Sequence, residues 1–489
     1  MNKYINAIYN NLIFFVINTL FFIVATPLAI KVMGDEFFGL WSILYAILIL
    51  SNMGTLGIAS IVTKFSAEVQ VDDPSREYAL SKIICGGALI VLVMSIAAGL
   101  VYLGMRSLIA GWLAVAPDWQ EQFSNAMIFV ALSIPPLFLS KVSQGFLLSQ
   151  LETRLVRQID TGTSMVLWLG AILSVKFLGR DLVLTGYWCL FYAGLVFVFY
   201  LRALLHRLQL HLVIDRAKIR SMLNFSGFMF LESIAITLFQ QVDRVIVGIT
   251  LGPALAGVYT VGTGLGLRMS MIAGQATEVM IPYASLKDSI NDHPRLYAIF
   301  CMLSRYISLF VACLGGMLVL WMDEILSLWI SPAYASNYSL AFRLFIVGYG
   351  LLSLSRPAHQ TLTGIGKVKI TSLIYSVVTM VMFISLYFLS RQLRLSGAAL
   401  ANFVPALLLV MNLYIYKRMS GRAALMQLFG DLKWGIFLPG LLLILVLFEP
   451  VIWLKILMTI ALGAFSGIIV YKDEWMQPWL TNQLKRVAN

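Results

Sequence analysis

Apolar segments of about twenty residues recur along nearly the whole chain, and short polar breaks separate them. A helix that crosses the hydrocarbon core of a bilayer needs about 20 such residues, so each segment predicts a transmembrane helix. Asp, Glu, Gly or Pro cluster in breaks such as 34–36, 72–75 and 291–294. The last two segments are short enough to form either two spans or one re-entrant hairpin. The sequence predicts an all-α integral membrane protein of about fourteen transmembrane helices, at 11–31, 38–62, 83–104, 124–148, 159–178, 184–205, 223–250, 255–283, 298–321, 340–361, 371–390, 395–416, 434–448 and 451–471.

The composition excludes an ordinary soluble protein. Hydrophobic residues make up 60% of the chain and charged residues only 12%, whereas globular proteins carry about 25% charged residues. The net charge of +12 is spread over short loops, which favours membrane topology over nucleic-acid binding as its explanation. The four cysteines lie inside apolar segments without the spacing of a zinc site or a disulfide framework. No signal peptide is apparent before the first span.

The distribution of Lys and Arg predicts the orientation. If the N-terminus is cytoplasmic, the inner loops and termini hold roughly three times as many Lys and Arg residues as the outer loops. Inner loops are the basic ones in most membrane proteins, so both termini are predicted to be cytoplasmic. No outer loop is long enough to form a folded domain.

Two motifs repeat at nearly the same offset. Residues 34–41, Gly-Asp-Glu-Phe-Phe-Gly-Leu-Trp, are echoed 218 residues later by 252–259, Gly-Pro-Ala-Leu-Ala-Gly-Val-Tyr. The pattern Asp-x-x-Arg-x-Tyr-Ala at 73–79 recurs at 292–298, 219 residues later. An offset of six spans preserves orientation, so the halves are predicted to be parallel repeats, as in transporters. The predicted regions are an N-terminal lobe with spans 1–6 (1–205), a linker (206–222), a C-terminal lobe with spans 7–12 (223–418), and two further spans with a cytoplasmic tail (419–489).

The linker 206–222 is basic and amphipathic, and it is predicted to be cytoplasmic. Leu208, Leu212 and Met222 alternate with Arg207 and Arg216 along it. Two interpretations remain open, a segment that lies on the inner leaflet and a plain basic connection.

Ionisable residues inside the spans are the candidates for function, because each costs about 2.5–3.5 kcal/mol at a helix centre and must face protein or water. Basic residues outnumber acidic ones there. A cation-lined cavity is one interpretation, and the alternatives are structural pairing between helices and snorkelling to the interface. Arg343 lies near the outer surface, where snorkelling is expected. The candidate substrate-binding residues are Arg268, Arg244, Lys141, Arg356, Asp243 and Gln241, and the candidate coupling or pairing acids are Asp160, Glu232 and Glu278.

Several of these motifs resemble a known family. Residues 34–41 and the stretch from Gln241 to Tyr259 resemble the bacterial polysaccharide transporters, or O-antigen flippases, of the multidrug-oligosaccharidyl-lipid-polysaccharide exporter superfamily. Further echoes are Gly364-Ile-Gly-Lys367 and residues 395–401. The resemblance implies a V-shaped fold of two six-helix lobes like that of multidrug/cation (MATE) antiporters.

The resemblance also implies a function, the movement of undecaprenyl-diphosphate-linked oligosaccharide to the outer leaflet by alternating access of the lobes. That transport would take place in a bacterial cytoplasmic (inner) membrane and would serve the biosynthesis of O-antigen, capsule or exopolysaccharide, and lipopolysaccharide. Expected partners are the lipid-linked oligosaccharide, membrane lipids and polysaccharide polymerase or chain-length machinery, with no nucleic acid. The chain has no phosphate-binding P-loop and no His or Cys cluster, so we expect no catalysis, no metal and no cofactor. The membrane potential or a Na⁺ or H⁺ gradient is the expected energy source.

Two other functions remain open from the sequence. A Na⁺- or H⁺-coupled drug or metabolite antiporter shares the same fold, and Asp160 is its candidate coupling acid in the first lobe. A membrane polysaccharide polymerase or ligase is disfavoured by the short outer loops and the internal repeat.

Overall fold

The computed structural model describes residues 2–51, 55, 57–67, 69, 76–113, 117–150, 152–278, 280–420, 424–446, 448 and 451–472. This part of the chain is almost entirely helical and contains no β-strand. Nine of its helical stretches are long and apolar enough to cross a membrane. The prediction of a multi-pass, all-α membrane protein is confirmed, and the count of fourteen stays a prediction.

The helices follow one another with few residues between them. A π-helical segment at Val311–Gly315 and a 3₁₀ segment at Val404–Leu409 join helices without a loop. The helices are α1 Asn2–Met33, α2 Asp35–Ser51, α3 Ile58–Ala67, α4 Arg76–Trp112, α5 Pro117–Ser149, α6 Thr153–Leu178, α7 Leu182–Leu205, α8 Arg216–Leu251, α9 Pro253–Thr277, α10 Met280–Ser289, α11 His293–Phe310, α12 Gly316–Leu320, α13 Met322–Trp329, α14 Pro332–Leu354, α15 Arg356–Gly364, α16 Val368–Ala401, α17 Val410–Ser420, α18 Ala424–Val446 and α19 Ile452–Lys472.

Four predicted spans are interrupted. The span 38–62 is divided between α2 and α3, 255–283 between α9 and α10, 395–416 between α16 and α17, and 340–361 between α14 and α15. At the last break Pro357 occupies the first turn of α15, where its missing N–H costs no hydrogen bond. Apolar content predicts how long a segment is, but local backbone chemistry decides where its helix is broken.

The chain forms two compact units. Unit 1 contains Met1–Val261 and Phe383–Ala398, and unit 2 contains Gly262–Met382 and Ala399–Asn489. In unit 1, α5 lies at the centre and packs against α3, α4 and α7. In unit 2, α14 is buried along most of its length and packs against α11, α13 and α18. The lobe boundaries predicted from the repeat remain a prediction.

The repeated glycine motif forms a close helix contact inside unit 1. A Cβ atom added to Gly39 on α2 would lie 1.7 Å from the carbonyl oxygen of Pro253, and one on Gly257 would lie 3.2 Å from the Gly39 Cα atom. One turn further along each helix, Thr260 donates a hydrogen bond to Ser42 at 3.3 Å. Gly39 and Gly257, like Ser42 and Thr260, are separated by the repeat offset of 218. The two copies of the motif therefore pack against each other, and at Gly39 only glycine permits that approach.

Ion pairs hold both C-terminal helices against the rest of unit 2. Asp431 on α18 lies 3.4 Å from Arg305 on α11, and it accepts a hydrogen bond from Tyr416 at 2.9 Å. Lys455 on α19 donates to Glu324 on α13 at 2.7 Å. The predicted C-terminal addition is thus an integral part of unit 2.

The linker is fixed to unit 1 by charge and by apolar burial. Arg207 lies 3.3 Å from Glu152, Lys82 lies 3.3 Å from Asp215, and Leu208 is buried. Asp215 caps α8 by accepting hydrogen bonds from the backbone N–H groups of residues 217 and 218. Helix α8 therefore begins at residue 216, seven residues before the predicted span at 223.

The N–H of Lys218 and the ammonium group of Lys82 lower the pKa of Asp215. The ion pair with Lys82 is therefore present at neutral pH and is lost as the pH falls through that lowered pKa.

We expect Asp215→Ala to release the linker. The substitution removes the helix cap and the ion pair with Lys82 together, so trypsin should cleave after Arg207 and Arg216 about fivefold faster than in the wild type. Limited proteolysis of the purified protein measures this rate. Asp118→Ala, in the first turn of α5 and about 50 Å along that helix from the linker, is the matched control and should leave the rate unchanged. Equal cleavage of Asp215→Ala and wild type would contradict the docked linker.

Candidate functional site

The predicted site residues divide between the two units. Each set belongs to helices that the sequence predicts to lie within the membrane. Unit 1 contains Lys141, Asp160, Glu232, Gln241, Asp243 and Arg244, and unit 2 contains Arg268, Glu278 and Arg356.

Lys141 and Asp160 belong to one hydrogen-bonded network in unit 1. Lys141 donates to the Gln144 amide oxygen at 3.0 Å, and the amide nitrogen of Gln144 donates to Asp160 at 3.1 Å. The Tyr200 hydroxyl, on α7, donates to the other carboxylate oxygen of Asp160 at 2.7 Å. Gln144 therefore connects a cation to a carboxylate without a direct ion pair, and the network joins α5, α6 and α7.

Asp243 and Arg244 are both buried on α8. Asp243 accepts a hydrogen bond from the Tyr259 hydroxyl at 3.0 Å and another from the backbone N–H of Arg244 at 2.8 Å. The Nε atom of Arg244 and the amide oxygen of Gln241 are buried without a hydrogen-bond partner among the described residues. Such unsatisfied groups are costly in a low-dielectric environment. They mark this stretch of α8 as a place where water or a ligand would be stabilised.

In unit 2, the arginines Arg268 and Arg356 both make hydrogen bonds to neutral groups. Arg268, on α9, donates to the carbonyl oxygen of Gly264 at 2.9 Å. Arg356, at the start of α15, donates to the hydroxyl oxygen of Ser270 on α9 through two nitrogens, at 3.3 and 3.2 Å. The break before Pro357 places Arg356 in the first turn of a new helix, where its side chain contacts α9.

The basic residues in the predicted spans fall into two groups, those with a carboxylate within 4 Å and those without one. Arg305 pairs with Asp431, and Lys455 pairs with Glu324. Lys141, Arg244 and Arg356 have no ion-pair partner within 4 Å in the part of the chain that the structure describes. Guanidinium and ammonium groups without a carboxylate retain the capacity to bind an anion.

Arg343 corrects one sequence prediction. Its side chain does not snorkel, because it is only 6% exposed and pairs with Asp323 while donating to the carbonyl oxygen of Val319 at 3.1 Å. Of the two remaining candidate acids, Glu278 is exposed in the turn after α9. The side chain of Glu232 lies outside the described residues.

The sequence analysis did not identify the neutral side chains that form hydrogen bonds with the candidate site residues, several of which lie on other helices. Gln144 lies three residues after Lys141 on the same helix, so helical spacing contained a signal for that contact. Tyr200, Tyr259 and Ser270 gave no such signal, because packing between helices brings them to their partners. Asp431 lies before the predicted span 434–448, but it is within α18, which begins at Ala424.

No group of three or more His, Cys, Asp or Glu side chains arranged to hold a metal ion occurs in the described part of the chain. The prediction that no metal or cofactor is required remains a prediction.

Comparisons with known proteins agree with the predicted fold. A family model described as "Polysaccharide biosynthesis protein" matches residues 5–286. The lipid II flippase MurJ, in an inward closed conformation, has a TM-score of 0.70 and 14% identity, with 94% of this chain and 99% of that chain covered. An inward-facing multidrug resistance MATE family transporter of the MOP superfamily has a TM-score of 0.68 and 12% identity, with 87% and 95% covered.

A MOP superfamily transporter from Pyrococcus furiosus has a TM-score of 0.56 and 14% identity, with 86% of this chain and 96% of that chain covered. At such identities the likeness establishes the fold alone, and it confirms the predicted MATE-like, all-helical fold class. No curated protein sequence gives a significant match.

The Asp160 network predicts an energetic coupling between Tyr200 and Asp160. Tyr200→Phe should lower the free energy of unfolding by about 2 kcal/mol in the wild type, because it removes a hydrogen bond to a carboxylate, and by about 1 kcal/mol in an Asp160→Asn background. Denaturant titration in detergent micelles measures both values. Tyr187→Phe, on the same helix and 51% exposed, is the control and should change neither. Equal losses in the two backgrounds would contradict the coupling.

Proposed function

Because the chain belongs to the family of polysaccharide biosynthesis proteins, we propose that it is a flippase for undecaprenyl-diphosphate-linked oligosaccharide repeat units. It moves them from the inner to the outer leaflet of a bacterial cytoplasmic membrane, and its own termini lie in the cytoplasm. The product serves the biosynthesis of surface polysaccharide, such as O-antigen, capsule or exopolysaccharide. Polysaccharide polymerase or chain-length machinery receives the units outside.

The observation that carries this proposal is the group of intramembrane cations without a direct carboxylate partner. A diphosphate cannot cross hydrocarbon unaided, because the transfer of an isolated charge out of water is very costly. Lys141, Arg244 and Arg356 lie in predicted spans and keep their charge free of ion pairs within the described residues. Arginine is especially suited to phosphate, which it contacts through two parallel hydrogen bonds.

Transport by alternating access follows from the parallel repeat. The proposed lobes, 1–205 and 223–418, alternately open a cation-lined path to each side of the membrane while the polyprenyl chain stays in lipid. An inside-negative potential favours the export of an anion by about 2.3 kcal/mol per charge per 100 mV. The potential alone supplies several kcal/mol for a diphosphate, so no cofactor is required, and a Na⁺ or H⁺ gradient adds to this wherever an acid is coupled.

A Na⁺- or H⁺-coupled antiporter is the second candidate function, and the surroundings of Asp160 favour it. The carboxylate accepts hydrogen bonds from the neutral groups of Gln144 and Tyr200 and makes no direct ion pair with Lys141. A carboxylate in that setting is able to exchange a proton or a sodium ion. In this case Asp160→Asn should abolish gradient-driven uptake of a cationic dye into proteoliposomes, whereas a flippase without drug transport shows no uptake to abolish.

The flippase proposal predicts a specific effect of removing unpaired cations. Arg356→Gln and Lys141→Gln should each lower transport by about tenfold or more, since each removes a charge-assisted contact to the diphosphate. Surface polysaccharide and lipid-linked repeat units accumulated on the inner leaflet of a depletion strain, normalised to the amount of folded protein, measure the effect.

Arg343→Gln is the matched control, because Arg343 already has a carboxylate partner in Asp323. This variant should reduce the amount of folded protein and leave transport per folded molecule unchanged. Full transport by both Arg356→Gln and Lys141→Gln, with the wild type active in the same assay, would refute the role of the unpaired cations.

A further inference from the structure

A polar cavity of about 280 Å³ lies in unit 1 where the linker meets the helix ends. The first turn of α4, the last turn of α5 and the residues just before α6 and after α7 form its wall. Ligand pockets for drug-sized molecules span about 300–1,000 Å³, so this cavity suits a small polar group rather than an oligosaccharide. Its lining residues are Arg76, Glu77, Leu80, Phe146, Gln150, Glu152, Arg207 and Leu208.

The cavity presents a guanidinium group that has no carboxylate partner among the described residues. Arg76 donates to the Gln150 amide oxygen at 3.0 Å, and no described carboxylate lies within 4 Å of it. Arg207, by contrast, lies against the Glu152 carboxylate at 3.3 Å. The guanidinium group of Arg76 provides the planar geometry that phosphate prefers.

Among the described residues that line the cavity, the charges balance one another. Two arginines, Arg76 and Arg207, face two glutamates, Glu77 and Glu152. A simple anion would leave the two carboxylates opposed to it, and a simple cation would be opposed by the arginines. A zwitterion that carries a phosphate and a primary ammonium group complements both pairs.

The place of the cavity along the chain indicates a lipid as the source of that zwitterion. Four transmembrane helices begin or end at its wall, so it lies near a membrane surface. Leu208 and Leu80 are buried at the cavity, while Leu212 and Ile214 on the adjacent linker are 92% and 65% exposed. Exposed aliphatic side chains beside a polar cavity at this level are suited to contact acyl chains.

We propose that this cavity binds the phosphoethanolamine headgroup of a membrane phospholipid, with the phosphate on Arg76 and the ammonium group on Glu77 and Glu152. The site is separate from the transport path and does not depend on the proposed cargo. It discriminates against phosphatidylcholine, because a trimethylated ammonium group has no N–H to donate to a carboxylate. It discriminates against phosphatidylglycerol, because that headgroup brings a negative charge without a positive one.

Native mass spectrometry of the purified full chain tests the site. The protein is incubated with equal amounts of phosphatidylethanolamine, phosphatidylcholine and phosphatidylglycerol that carry the same acyl chains. The wild type should bind the first lipid about tenfold better than either of the others, as expected for one charge-assisted hydrogen bond. Arg76→Gln should remove this preference, and Arg154→Gln, an exposed arginine outside the cavity, should keep it.

Glu152→Gln provides a second test with the opposite sign. Loss of one carboxylate leaves the cavity with a net positive charge, so the preference should change from phosphatidylethanolamine to phosphatidylglycerol. This change is not expected from a general loss of stability. Equal binding of the three lipids by the wild type, or an unchanged preference in Glu152→Gln or in folded Arg76→Gln, would overturn the proposal.

Discussion

The hydrocarbon core of a bilayer provides no water to a buried charge, and the arrangement of ionisable residues in this chain follows from that cost. Where a cation holds helices together, a carboxylate lies against it, as with Arg305 and Asp431 or Lys455 and Glu324. Where a cation has no carboxylate beside it, neutral groups accept its hydrogen bonds, as Ser270 does for Arg356. In the first arrangement the carboxylate neutralises the cation. The second leaves charge that an anion can neutralise, and this difference is the basis of the proposed transport path.

The cost of burying a charge applies equally to the acidic side chains. Asp160 and Asp243 are each stabilised by a tyrosine hydroxyl, from Tyr200 and Tyr259, and not by a direct ion pair within 4 Å in the described region. A hydroxyl group donates a hydrogen bond to the carboxylate, so no basic side chain is needed as its partner. The basic side chains nearby therefore remain available to bind an anion.

The sequence predicted the helical class, the membrane location and the candidate residues, because these depend on composition and spacing along one chain. The repeated motif was also visible, although its physical meaning was not. Only the structure shows that Gly39 and Gly257 lie against each other, and that a side chain on Gly39 would collide with the backbone of Pro253. The burial of Arg343 and the Tyr200–Asp160 bond were hidden because they depend on residues from other helices. The break at Ser355 lies next to Pro357, a signal that the sequence contained, but the residues at which the two helices end and begin depend on local backbone geometry.

The central claim is that the cations without direct carboxylate partners line a path that water and an anionic headgroup enter. The most direct measurement replaces Lys141, Arg244 and Arg356 one at a time by cysteine, in a chain whose four native cysteines have been removed, and records labelling by a membrane-impermeant thiol reagent. Cysteine in place of Arg343 is the reference for a sealed, ion-paired position. The account predicts labelling at the three positions, slowed by a lipid-linked diphosphate, and none at position 343. If all three positions were as inert as position 343, the cation-lined path would be contradicted while the fold remained.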